Sequence, residues 1–63
     1  MASKTEVLKT ILDTRDVIIS GVVNDLFSEG FKKEDIKKVK NSVTKTVYAQ
    51  FDSLLNRVEK TMD

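Results

Sequence analysis

The sequence predicts an all-α protein: a two-helix antiparallel hairpin that dimerises into a four-helix bundle. Three observations predict it. The chain of 63 residues has no proline and only two glycines, so little in it interrupts a helix. Its apolar residues recur at helical spacing on both sides of a single joint. Each helix then carries an apolar arc too wide for one neighbour to cover, which calls for a second copy.

The first helix spans about residues 4–29. Ser3-Lys4-Thr5-Glu6 matches a capping box, in which the Ser and Glu side chains satisfy free amides of the first turn. At about 100° per residue, Val7, Leu8, Ile11, Leu12, Ile18, Ile19, Val22, Val23 and Leu26 share an arc of roughly 160°. Lys9, Asp13, Asp16, Ser20 and Asn24 fall opposite. Val17 and Phe27 lie off the arc, exposed or covering a second contact. Two features compete with one continuous helix. The run Val17–Val23 is β-branched around Gly21. Asp13-Thr14-Arg15-Asp16 also suits the cap of a fresh helix. The alternative fold is therefore a monomeric three-helix bundle broken near Asp13. The arc runs through both places, which favours one helix.

Arg15 falls in the middle of that arc. Either its aliphatic stem packs while the guanidinium reaches water or an acid of a neighbouring helix, or it is a polar device that sets register. A ligand-binding role ranks below both.

The turn is placed at Gly30–Lys32. Glycine takes the left-handed backbone that commonly ends a helix. Phe31 and Ile36 have the spacing of a hydrophobic staple around a cap at Lys32. Lys32 has no short acceptor for the free amides, but Glu34 and Asp35 suit the positive end of the helix dipole. A joint this short makes the helices antiparallel.

The second helix spans about residues 33–61. Ile36, Val43, Val47, Phe51, Leu54, Leu55, Val58 and Met62 share an arc, with Val39 and Tyr48 on its margins. The steps follow the natural helical period rather than a strict heptad, as in a compact bundle of straight helices. Lys40 lies in the arc near the joint, so the seam is expected to be less sealed there. Tyr48 is expected to pack its ring and leave its hydroxyl in water. The candidate dimer core is Leu8, Ile11, Arg15, Ile18, Val22 and Leu26 from the first helix, with Val43, Val47, Phe51, Leu54 and Val58 from the second.

Residues 1–63 read as a single helical domain. A chain this short is marginal alone, and it has no cysteine to staple it. No N-terminal apolar run resembles a secretory leader and none is long enough to span a bilayer, so a soluble, cytoplasmic protein is expected.

The chemistry-bearing residues point away from catalysis. Without His or Cys, the usual nucleophile–base pairs and zinc sites are missing, and the isolated Gly21 and Gly30 make no phosphate loop. The paired carboxylates read as solvated helix faces. No cofactor, metal or small-molecule substrate is expected, nor a membrane partner.

Charge marks the candidate partner surfaces. Residues 32–45 hold six lysines against Glu34 and Asp35, a local +4 in a chain of net charge +1. Lys32, Lys33, Lys37, Lys38, Asn41 and Lys45 are the candidates for nucleic-acid binding, with the lysines neutralising phosphates. A helix-turn-helix variant would need the three-helix fold. Asp13, Asp16, Val17 and Phe27 are the candidates for a protein partner. The expected function is a small non-enzymatic regulatory protein: a homodimer that binds another protein as an inhibitor, adaptor or antitoxin-like factor. The alternatives are a nucleic-acid-binding regulator and a structural assembly subunit.

Overall fold

The computed structural model of the chain describes residues 3–62. It consists of α1, Lys4–Ser28, and α2, Lys33–Thr61, joined by a short turn and packed side by side. The described residues contain no strand.

Local chemistry explains each boundary. Ser3 is extended and its Oγ accepts from the Glu6 amide at 3.1 Å, so the Ser half of the capping box forms. The threonines that weaken helix propensity turn their hydroxyls inward. Thr10, Thr14 and Thr61 each donate to the carbonyl four residues back, at 2.7–2.9 Å. At the joint, Gly30 has φ of 81°. Its amide bonds to the Phe27 carbonyl at 3.1 Å, and the Phe31 amide to the Leu26 carbonyl at 3.3 Å. This is a Schellman ending, in which two otherwise free carbonyls are satisfied because one residue goes left-handed. Lys32 caps α2 without a side-chain hydrogen bond, and Glu34 and Asp35 supply the negative charge of the first turn.

The break near Asp13 is absent. α1 runs unbroken through Asp13–Asp16 and through the β-branched stretch at Gly21, so the three-helix alternative is set aside. Contact with α2 along the apolar arc outweighs the local preference for a cap or a strand.

The hairpin measures 45 × 20 × 11 Å: two helices wide and one helix thick. Its seam is lined by half-buried side chains, including Leu8, Ile11, Val22 and Leu26 against Val43, Val47, Phe51, Leu55 and Val58. Among the described residues only Ile36 is buried, at 4% exposure. It lies beside the joint, grouped with Leu26, Phe31 and Val39. The seam is therefore best sealed at the joint, against the expectation drawn from Lys40. Lys40 instead leaves the seam and borders a shallow depression of about 140 Å³ with Ile19 and Val23.

The chain exposes 5094 Å². A compact monomer of 7.1 kDa exposes about 4,100 Å², so the hairpin carries an excess of roughly 1,000 Å². Much of it is apolar: Leu12, Val17, Ile18, Phe27, Val39, Tyr48 and Leu54 are all exposed.

The joint has a direct test. Gly30→Ala is expected to lower stability by about 1–2 kcal/mol, because a Cβ opposes the left-handed backbone. Ser3→Ala should cost about 1 kcal/mol through the lost cap. Urea unfolding followed by circular dichroism, at one fixed protein concentration, measures both.

Candidate functional site

Three surfaces hold side chains that a partner can use. The first is the outer edge of α1, opposite the seam. On the helical wheel Asp16, Phe27, Asp13 and Val17 follow one another over about 100°. All four are exposed, Val17 at 69% and Phe27 at 52%. Both apolar residues are thus out in solvent, and the choice between exposure and a second contact within the chain is decided. They lie about 15 Å apart along the axis, with Asp13 and Asp16 beside them. An apolar pair flanked by carboxylates fits a groove with a basic rim.

The second surface is the lysine-rich joint and the start of α2. Lys32, Lys33, Lys37, Lys38, Lys40 and Lys45 are all exposed, and so is Asn41. The wheel puts Lys38 and Lys45 opposite the seam, with Lys37 and Asn41 on one flank. Acid in this stretch is confined to its first turn, at Glu34 and Asp35. The lysines therefore extend a positive field along α2 that the two carboxylates offset only at one end.

The third is the seam polar pair. Arg15 keeps only 17% of its side chain exposed. Its guanidinium carbon lies 3.9 Å from the centroid of the Tyr48 ring. Its Nε donates to Asp16 Oδ1 at 3.3 Å. The acid is the next residue on its own helix, so the option of an acid on a neighbouring helix is not the one taken within the hairpin. The neighbouring helix supplies a π face instead. A guanidinium held over an aromatic ring keeps a favourable electrostatic partner after losing water, at little cost in packing. Tyr48 was legible as a margin residue, but its stacking role needed the register between the helices.

Of the remaining core candidates, Leu8, Ile11, Val22, Leu26, Val43, Val47, Phe51 and Val58 are half-buried along the seam. Ile18 and Leu54 are not: they stand exposed at 42% and 41%. A shallow apolar depression of about 290 Å³ opens at the joint, lined by Leu26, Phe31, Asp35, Ile36 and Val39. Phe31 and Ile36, the staple pair, share its wall.

Among the described residues no group of three or more acidic, His or Cys side chains is placed to hold a metal ion. No helix among the described residues is long and apolar enough to cross a membrane. No family model, no curated protein and no solved structure matches the chain.

A double-mutant cycle isolates the stack. Arg15→Leu and Tyr48→Leu should show a coupling energy of about 1 kcal/mol in thermal unfolding. A coupling of zero would mean that the two side chains are neighbours without mutual stabilisation.

Proposed function

We propose that this chain is a non-enzymatic interaction module. Two hairpins associate into a four-helix bundle, and the bundle binds another protein through the outer edges of its α1 helices. The observation that carries this reading is the hairpin's thickness of a single helix, with Ile36 alone buried among the described residues. Such a slab has no interior of its own, and monomeric folds rarely leave so much apolar surface in water. In the bundle each α1 still presents Phe27, Val17, Asp13 and Asp16. A half-exposed aromatic residue is the usual anchor of a small protein interface. A cytoplasmic location belongs to this reading, and a chain without cysteine is compatible with a reducing compartment.

A second reading rests on the lysines, which stand exposed together around Asn41. In that reading the bundle is a regulator that holds nucleic acid by its phosphates. Phosphate neutralisation releases counterions, so affinity falls steeply with salt, whereas an apolar protein contact changes little.

Light scattering over a concentration series is expected to give twice the chain mass at both low and high salt. A monomer throughout would end the bundle reading. Partner class is then read from two variants that keep the dimer. Phe27→Ser with Val17→Ser is expected to lose the proteins captured by the wild-type chain from a lysate of its source. Lys37→Ala with Lys38→Ala and Lys45→Ala should leave that capture intact. Salt-sensitive binding of a mixed-sequence DNA duplex or RNA strand, abolished by the lysine variant, would transfer the function to nucleic acid.

A further inference from the structure

The hairpin has two broad faces, and they differ in charge. Right-handed helices running antiparallel rotate so that matching flanks of α1 and α2 fall on one side. By that rule one face carries Val7 and Ile18 from α1 with Val39, Val43 and Leu54 from α2. The other carries Leu12, Ile19 and Val23 with Tyr48 and Leu55. The Tyr48 face is crowded with charge: Asp16, Lys37, Lys40, Asp52 and Glu59 stand on or beside it, and so does the Arg15–Tyr48 stack. Burying these groups against an apolar surface would strip water from charges without giving them partners.

The Ile18 face has Asp25, Asp35 and Arg57 as its charges, with Glu6 at its rim, and all four sit near its ends. Its middle is apolar or uncharged, with Thr14, Gly21 and Gln50 among the aliphatic residues. Both larger depressions open on it, at opposite ends. One lies at the joint, between Phe31 and Val39; the other, of about 360 Å³, is lined by Glu6, Val7, Thr10 and Ile11.

We infer that a second copy, turned end for end, covers the Ile18 face, while the Tyr48 face stays in water. The inference rests on the self-association reading and specifies its surface. Two quantities support a second copy as the occupant. A broad face of 45 × 20 Å offers about 900 Å² on each hairpin, an interface of about 1,800 Å² in total, the size of a stable dimer. The charges are also self-complementary. Asp25 and Asp35 lie within about 8 Å of the joint, and Arg57 about 6 Å from the far end of α2. Reversing the second hairpin sets α1 on α1 and α2 on α2, and brings each Arg57 over the Asp35 of the other copy.

This assignment leaves the lysines of α2 and the outer edge of α1 free on the assembled bundle. Both candidate partner surfaces described above then survive dimerisation.

The test is solution mass for charge placed on either face, at matched concentration. Ile18→Glu and Leu54→Glu are expected to reduce the mass from twice to once that of the chain. Leu12→Glu and Tyr48→Glu are expected to remain dimeric. A wild-type monomer would sink the self-association reading itself. A wild-type dimer broken by the Leu12 and Tyr48 variants, with the Ile18 and Leu54 variants intact, would sink only the choice of face.

A dissociated variant can also unfold, so a second measurement avoids charge altogether. The chain lacks cysteine, and single thiols report burial directly. Thr14→Cys should react with a maleimide several-fold more slowly than Asp16→Cys, and should lose that protection on dilution to monomer. Equal reactivity would overturn the inference. Orientation is read by charge exchange: Arg57→Glu weakens the dimer, and Asp35→Lys in the same chain restores it. A failure to restore would overturn the end-for-end arrangement.

Discussion

Two cylinders touch along a line. That constraint governs this molecule more than any single contact does. Each helix carries an apolar arc far wider than a line, so pairing α1 with α2 covers the middle of each arc and leaves its margins wet. The outcome is visible residue by residue. Leu8, Ile11, Val22, Val47 and Val58, near the middle of the arcs, are half-buried, as are Val7, Val23 and Val43 farther out, whereas Leu12, Ile18, Val39 and Leu54 are exposed. At the joint Ile36 is buried, alone among the described residues. The surplus surface is the predictable remainder of packing wide arcs in a single layer.

The joint sets the geometry that makes this packing regular. A left-handed Gly30 lets α1 end with its last carbonyls satisfied, and two residues later Lys32 caps the start of α2. A connection this short keeps the helices antiparallel and fixes their register. Register in turn decides which side chains meet. Arg15 reaches Tyr48 because the two lie at equal distances from the turn, and Lys4 reaches Glu59 at 4.0 Å for the same reason. The first pair stabilises a guanidinium in a half-buried seam. The second is an exposed contact whose contribution is small.

The architecture was legible because its signals are local. Ser3 and Glu6 mark the start of α1, Gly30 its end, and the staple spacing of Phe31 and Ile36 the start of α2. The continuity of the apolar arc through Asp13–Asp16 gave the right answer where the cap-like residues gave a competing one. What the chain pattern did not reveal depends on the third dimension. A wheel places Arg15 in the arc but says nothing about what faces it across the seam, so water, an acid and a register role stood open and the aromatic partner was missed. A wheel also places Lys40 in the arc without saying that a long side chain can leave it sideways. The partner surfaces are legible only as exposure and charge. Neither Phe27 with its acids nor the lysines around Asn41 form a pattern with a fixed chemistry, unlike a metal or phosphate site.

The central claim is that one hairpin is an incomplete fold, completed by a second. Thermal unfolding over a hundredfold range of protein concentration tests it most directly, with circular dichroism as the probe. If folding and pairing are one event, the midpoint rises steadily with concentration, because mass action favours the paired state. A midpoint that stays constant while the chain remains helical would show that the single hairpin is stable with both faces in water, and would contradict the account.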